Sequence, residues 1–375
     1  MATPDDNPQA EILAVVGARP NMVKMAPLLH ALADGEVGRV RLVHTGQHYD
    51  RSLSGGFIEL LGMPEPDANL EVGSGTHAEQ TAAVLIGIEK EIADNEPDLL
   101  VVSGDVNSTL AAAIAAAKAG VPVCHLESGL RSGDWTMPEE INRVVTDRIS
   151  DLLLCTSPDA VENLTAEGIS GNGVALVGNT MIDSLVRILA EVDRTSVLRE
   201  RDLASREFGL VTLHRPALVD DPAQLTAAID ALKGLAEQMP VVFPVHPRTA
   251  SRLEAAGVDA SDALRILEPM DYPDFIALEA EARVVVTDSG GVQEETSAVG
   301  TPCLTYRTTT ERPITCELGT NELVGTDPAA LSAAIERVLT EEVPGEAPGI
   351  PLWDGAAGPR AADAIGTFLG QRNSV

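Results

Sequence analysis

Two glycine-bearing turns stand where strand-like runs give way to helical ones. The first, GlyAlaArgProAsnMetValLys (17–24), follows the apolar run of residues 11–16 and opens a helical stretch. Unpaired N–H groups and the helix dipole favour an anion at such a place, and Arg19 and Lys24 bring positive charge to it; an ordinary surface charge would read the same way. The turn is neither a Walker A loop nor a GxGxxG fingerprint. The second, ThrAspSerGlyGlyValGlnGluGlu (287–295), follows the run ArgValValVal. Ser289, Gly290 and Gly291 can offer a hydroxyl and several N–H groups to a phosphate, the paired glycines allowing close approach. A plain tight turn capped by Asp288 or Ser289 has the same residues. Acid in the first helical turn is favoured by the dipole alone, so Glu295 needs further support as a ribose ligand.

Between the turns lie acids that follow apolar runs or open a helix: Asp105 in ValSerGlyAspValAsnSer, Glu127 in HisLeuGluSerGlyLeuArg and Glu139 in MetProGluGluIleAsnArg. Carboxylates converging at the carboxyl ends of parallel strands can hold separated pKa values, as acid–base chemistry requires. Helix capping by Asp105, or stabilisation of a helix start after Pro138 by Glu139 or Glu140, is the structural alternative. His214 with Arg215, and His246, each follow a strand-like run; a lone histidine at a strand end is commonly structural, but beside a phosphate-binding turn an imidazole can steady a departing diphosphate.

The elements that position these residues alternate. Strands are predicted over 11–16, 39–44, 98–102, 121–126 and 174–178, with helices over 21–33, 109–119 and 181–192. A second set begins at 209–213 and continues through 241–245, 265–267, 283–287 and 303–306. Continuous rather than alternating apolar runs fit parallel strands covered on both faces, so the fold class is α/β with two doubly wound, Rossmann-like halves. The boundaries expected are 1–180 for the first domain and 181–355 for the second. A final helix within 356–375 is expected to pack back on the first, and the passage between domains lies near 178–200.

A chain of 375 residues suits two such domains. With 26 basic against 57 acidic residues its formal charge is −31, which opposes binding to nucleic acid or an anionic membrane. No apolar run reaches the roughly 18 residues of a membrane span, and the acidic start lacks the basic and apolar stretches of an export leader; a cytoplasmic location is expected. Cys124, Cys155, Cys303 and Cys316 lack metal-ligand spacing and read as buried free thiols.

The motifs together carry a resemblance. GlyAlaArgProAsnMetValLysMetAlaPro, ThrGlyGlnHis, GlyAspValAsnSerThrLeu, HisLeuGluSerGlyLeuArg, MetProGluGluIleAsnArg, GlyAsnThrMetIleAsp, ThrLeuHisArgPro, ProValHisPro, ThrAspSerGlyGlyValGlnGluGlu and ThrGluArgPro, in this order between about residues 11 and 327, resemble the non-hydrolysing UDP-N-acetylglucosamine 2-epimerases. The resemblance implies a glycosyltransferase-B-like fold, an active site in the interdomain cleft, a homodimer, and no redox cofactor or metal. It places Arg19, Lys24, Asp105, Glu127, Glu139, Arg143 and His214 at the reaction centre, and Phe275, Ser289, Gly290, Gly291, Glu295 and Arg312 around UDP, with Met270 beside uracil. The implied chemistry is abstraction of the C2 proton, anti elimination of UDP to a 2-acetamidoglucal, and re-addition of UDP after reprotonation on the other face, with Asp105 and Glu139 nearest the proton.

This chain departs from the family pattern at Asn21, Arg148, Ala217, Leu218 and Thr308, which bears on the choice of sugar. Gln47, Glu139, Arg215 and His246 match the site at which some members bind a second UDP-sugar as activator, whereas Asp50 and Glu79 do not. The alternatives are a hydrolysing epimerase that releases ManNAc and UDP, the same epimerisation on a related UDP-2-acetamido sugar, a glycosyltransferase of the same fold, and a UDP-sugar sensor without turnover.

Overall fold

The structure, a computed structural model, describes residues 9–35, 37–46, 51–245, 247–258, 260–341, 347 and 349–372. The chain divides into two compact units, one running to Ser184 and resuming at Pro351, the other spanning Leu185–Ile350.

The first unit is built in chain order from β1 (Glu11–Val16), α1 (Arg19–Asp34), β2 (Arg39–His44), α2 (Arg51–Leu60), β3 (Ala68–Asn69), α3 (His77–Asn95), β4 (Leu99–Ser103), α4 (Asn107–Ala119), β5 (Val123–Ser128), α5 (Pro138–Ile149), β6 (Leu152–Cys155), α6 (Pro158–Ala166) and β7 (Val174–Leu176). Its seven strands are ordered β3-β2-β1-β4-β5-β6-β7 and the pairs are parallel. The order reverses between β1 and β4, so the loops after these strands flank a switch point, where open α/β sheets bind ligands. β4 and β5 are buried along their whole length, as expected of strands covered on both faces.

Helix α7 (Thr180–Glu191) contains the division between units. The second unit continues with α8 (Arg194–Glu200), β8 (Gly209–Thr212), α9 (Pro216–Val219), α10 (Pro222–Ala236), β9 (Val241–Pro244), α11 (Pro247–Ala255), β10 (Leu264–Leu267), α12 (Tyr272–Glu281), β11 (Val284–Thr287), α13 (Gly290–Val299), β12 (Cys303–Thr305), α14 (Pro313–Glu317), β13 (Asn321–Leu323) and α15 (Pro328–Thr340). Its parallel sheet is ordered β10-β9-β8-β11-β12-β13, with its own switch point between β8 and β11. Val211, Phe243, Val284, Val286 and Leu304 form one core with Leu225, Ile229, Leu232 and Leu331 from α10 and α15.

The last element, α16 (Ala357–Arg372), belongs to the first unit and packs on α1. Gly358 makes the approach possible, since a Cβ there would stand 2.6 Å from the Pro27 carbonyl oxygen. The Asp183 carboxylate accepts the N–H groups of Ala357 and Gly358 at 3.1 and 2.7 Å, and Arg360 donates to the Val177 and Leu352 carbonyls at 2.6 and 2.8 Å. Trp353 Nε1 donates to the Thr156 carbonyl at 3.0 Å.

Candidate active site

In the first unit the turn after β1 is fixed by Asn21. This buried amide donates from Nδ2 to the Ser103 carbonyl at 2.7 Å and accepts the Ala18 N–H at 3.2 Å, which seats the start of α1 against the end of β4. A carboxylate at position 21 could not donate to that carbonyl. One turn later Lys24 is buried and forms an ion pair with Glu127. Arg19 is exposed, its guanidinium 5.9 Å from the centroid of the Phe57 ring.

Glu127 has φ of +69°, and the β5–β6 register shifts between Leu126 and Ser128. Left-handed backbone at a non-glycine residue costs about 1–3 kcal/mol and clusters at functional sites; a bulge re-aims the side chain it carries. Gly104, with φ of +68°, completes this arrangement, because a Cβ there would lie 3.1 Å from Glu127 Oε2 and 3.2 Å from Lys24 Nζ.

Asp105 follows, its side chain one quarter exposed and ion-paired to Arg143 of α5. Arg143 also donates from Nε and Nη2 to Glu140 at 3.0 and 2.7 Å, and Glu140 accepts the N–H groups of Ser132 and Gly133 at 3.0 and 2.8 Å. Burial would raise the Glu140 pKa, but the Ser132 N–H, Arg143 and the Gly133 N–H together hold it below the usual carboxylate range. Asn142 ties the Asp105 carbonyl at 2.8 Å. Glu139 is exposed on the same first turn, where the structure gives it none of these contacts.

A second buried network supports the turn. His125 Nε2 donates to the Gly104 carbonyl at 2.8 Å, while Nδ1 lies 2.6 Å from Asp147, which also receives the Gly129 N–H and Arg131. Sequence reasoning missed His125 and Asp147; polar residues inside the apolar β5 run and on the buried side of α5 were the available sign.

In the second unit Asp288 is the organising group. It accepts the N–H groups of His214 and Arg215 at 2.9 and 2.8 Å, and the His214 ring through Nδ1 at 3.1 Å. Burial pushes its pKa up, but the His214 ring and these N–H groups outweigh that and hold it below the usual range. The expected alternative role of Asp288 or Ser289 as a helix cap is corrected here: Asp288 holds the β8 turn, and Ser289, though at the N-cap position of α13, makes no side-chain cap. The His214 ring is half exposed, with Nε2 turned away from Asp288.

Gly290 opens α13 beside a cluster of charge. A Cβ on it would meet Glu311 Oε1 at 2.5 Å and Arg312 Nη1 at 2.6 Å. Arg312 is buried and paired with Glu294 at 2.7 Å and Glu311 at 2.6 Å, and Arg307 reaches Glu311 at 2.9 Å. The N-terminus of α13, with Ser289, Gly290 and Gly291, thus stands next to a fixed guanidinium, an arrangement that can take a phosphate. Phe275 and Met270 pack against the core of Leu278, Val285 and Val292. The Tyr272 hydroxyl donates to Glu295 at 2.5 Å. His246, Gln47 and Asp50 lie outside the described residues. Among the described residues no group of three or more His, Cys, Asp or Glu side chains is arranged to hold a metal ion.

The family model for UDP-N-acetylglucosamine 2-epimerase matches residues 30–366. The chain belongs to this family. Within the UDP-N-acetylglucosamine 2-epimerase family it is 39% identical to the enzyme of that name from Methanocaldococcus jannaschii, over 88% of this chain and 92% of the relative. The crystal structure of the M. jannaschii UDP-GlcNAc 2-epimerase, in complex with UDP-GlcNAc and UDP, superposes with a TM-score of 0.86 at 37% identity, covering 96% of this chain and 99% of that one. That similarity establishes the α/β fold of the glycosyltransferase-B-like kind. The chain is also 40% identical to UDP-2,3-diacetamido-2,3-dideoxy-D-glucuronate 2-epimerase from Pseudomonas aeruginosa, over 88% of this chain and 92% of that protein. Among the described residues no helix is long and apolar enough to cross a membrane.

Proposed function

We propose that this chain interconverts UDP-N-acetylglucosamine and UDP-N-acetylmannosamine by elimination and re-addition of UDP. The observation that carries the reading is family membership over residues 30–366 together with the carboxylate set of Asp105 and Glu127, each held by its own cation. In the proposed reaction a carboxylate takes the C2 proton while the C1–O bond breaks, its electron pair leaving with UDP. The resulting 2-acetamidoglucal takes a proton at C2 on its other face, and UDP returns to C1. Asp105 and Glu139 exchange the proton: Asp105 is oriented by Arg143 yet partly open to solvent, and Glu139 is exposed. Glu127 neutralises and positions Lys24. His214, Arg19, Ser289, Gly290, Gly291 and Arg312 stabilise the departing diphosphate, because the C2 hydrogen is weakly acidic and the leaving charge must be offset as it develops. Phe275 supports the base side and Glu295 the ribose.

No step requires a metal or redox cofactor. We assign the protein to the cytoplasm, as a homodimer; its four cysteines are free, three of them buried, which suits a reducing compartment. The 40% identity to the diacetamido-glucuronate epimerase supports a second reading, the same elimination on a UDP-2-acetamido uronic acid. Proton NMR in D2O with each UDP-sugar separates the two. The expected result is UDP-ManNAc carrying deuterium at C2; product without deuterium excludes the elimination route, and free ManNAc identifies a hydrolysing enzyme.

A further inference from the structure

Glu279 of α12 takes no part in the chemistry above, yet it is a completely buried acid. Neither of its carboxyl oxygens meets a hydrogen-bond donor among the described residues. Beside it lies a second acid, Glu295 of α13, itself buried and already accepting from the Tyr272 hydroxyl. Among the described residues, Glu294, Cys303 and Arg312 also stand near the three. Arg312 is engaged by Glu294 and Glu311.

Two carboxylates in contact inside a protein cannot both ionise, so the pair holds a proton. Burial, with Glu295 beside it, pushes Glu279 well above the usual carboxylate range; burial also raises Glu295, against the pull of Tyr272, Glu279 and Arg312. Glu295 already accepts the Tyr272 hydroxyl and has Arg312 nearby to favour its charge, so the shared proton is assigned to Glu279. A buried acid without any acceptor for its O–H would be costly, and Glu295 is the acceptor present.

We infer that Glu279 is a positioning residue for the nucleotide: it donates its carboxyl O–H to Glu295 and, with the Tyr272 hydroxyl, fixes that carboxylate so that its remaining lone pairs accept from the vicinal hydroxyls of the ribose. This rests on the reading of Glu295 as the ribose ligand.

The test is calorimetric titration of the full chain with UDP and with 2′,3′-dideoxy-UDP from pH 6 to 10, for the wild type, Glu279→Gln, Glu279→Leu and Glu295→Gln. Glu279→Gln keeps a donor that does not titrate; its affinity for UDP should stay within about threefold of wild type at pH 7 and fall on the alkaline side only as far as ionisation of the uracil N3–H itself requires. The wild type should lose affinity by up to about tenfold per pH unit once the pair gives up its proton. Glu279→Leu should bind UDP about tenfold more weakly but bind the dideoxy nucleotide as the wild type does. Matching pH profiles for wild type and Glu279→Gln, or equal weakening of both nucleotides by Glu279→Leu, overturn the inference. If Glu295→Gln binds UDP as tightly as the wild type, the ribose reading itself fails, whatever Glu279 does.

Discussion

Replacing Asp288 by Asn tests whether one buried carboxylate both holds the second unit together and aims His214. The carboxylate accepts two backbone N–H groups, at 2.9 and 2.8 Å, and the imidazole at 3.1 Å. Hydrogen bonds to a charged group contribute roughly 1.5–3 kcal/mol each, but they are not additive, and the amide of Asn keeps one acceptor while turning an NH2 toward an N–H. A net loss of about 3 kcal/mol follows. For a unit of this size that lowers Tm by about 6–12 °C. The Asp288 pKa is depressed in the folded state, so its contribution is fully present above the unfolded value of 3.8 and disappears as pH falls through the lower, folded value. Denaturant unfolding of wild type and variant should therefore show the full gap at pH 7 and a narrowing gap below about pH 4. Turnover should fall by about 100-fold with UDP affinity changed less than threefold, because the ring loses its orientation while the α13 turn remains. A gap that is absent at pH 7, or constant down to pH 3, refutes the argument; so does unchanged turnover.

Lys24→Met leaves Glu127 without its cation and should cost about 3 kcal/mol on denaturant unfolding; adding Glu127→Gln should recover most of that stability while activity stays at least about 100-fold down. Arg143→Lys exchanges a fork that reaches Asp105 and Glu140 together for a point charge, so kcat should drop by about 10–100-fold, with UDP affinity unchanged in a direct binding assay. Gly290→Ala puts a methyl 2.5–2.6 Å from the ends of Glu311 and Arg312; calorimetry should show UDP binding weakened by about tenfold, with Tm lowered because the buried Arg312–Glu311 pair must shift.

Much of the fold was legible because buried parallel strands are continuous apolar runs. The stretches 11–16 and 39–44 are β1 and β2 to the residue, and most other predicted strands lie within two residues of those observed. β3, β6 and β13 escaped, being two, four and three residues long, too short for a period to show. The passage expected near 178–200 contains the helix α8, whose charged residues hide Val197 and Leu198 on its inner side. In the site, the residue types pointed to acids and to the Ser-Gly-Gly turn, but not to which neighbour faces inward. Glu139 and Glu140 are adjacent, and helical phase buries Glu140 with Arg143 and Asp147 on a polar inner face that apolar periodicity cannot detect. Asp288 meets the His214 and Arg215 N–H groups, and Glu294 meets Arg312, across distances in sequence that spacing alone does not bring together.

The return of α16 to α1 sets an order of events during synthesis. Residues 185–350 leave the ribosome before the segment that supplies α16, its cap on Asp183 and the Trp353 bond to Thr156. At about 5–20 residues per second this interval is on the order of ten seconds. Throughout it the apolar face of α1 that α16 covers is open, and the Pro27 carbonyl has no Gly358 against it. The unit that begins first is thus completed last, and a nascent chain halted before residue 357 carries a finished second unit beside an unfinished first one, a target for chaperones and proteases rather than an enzyme.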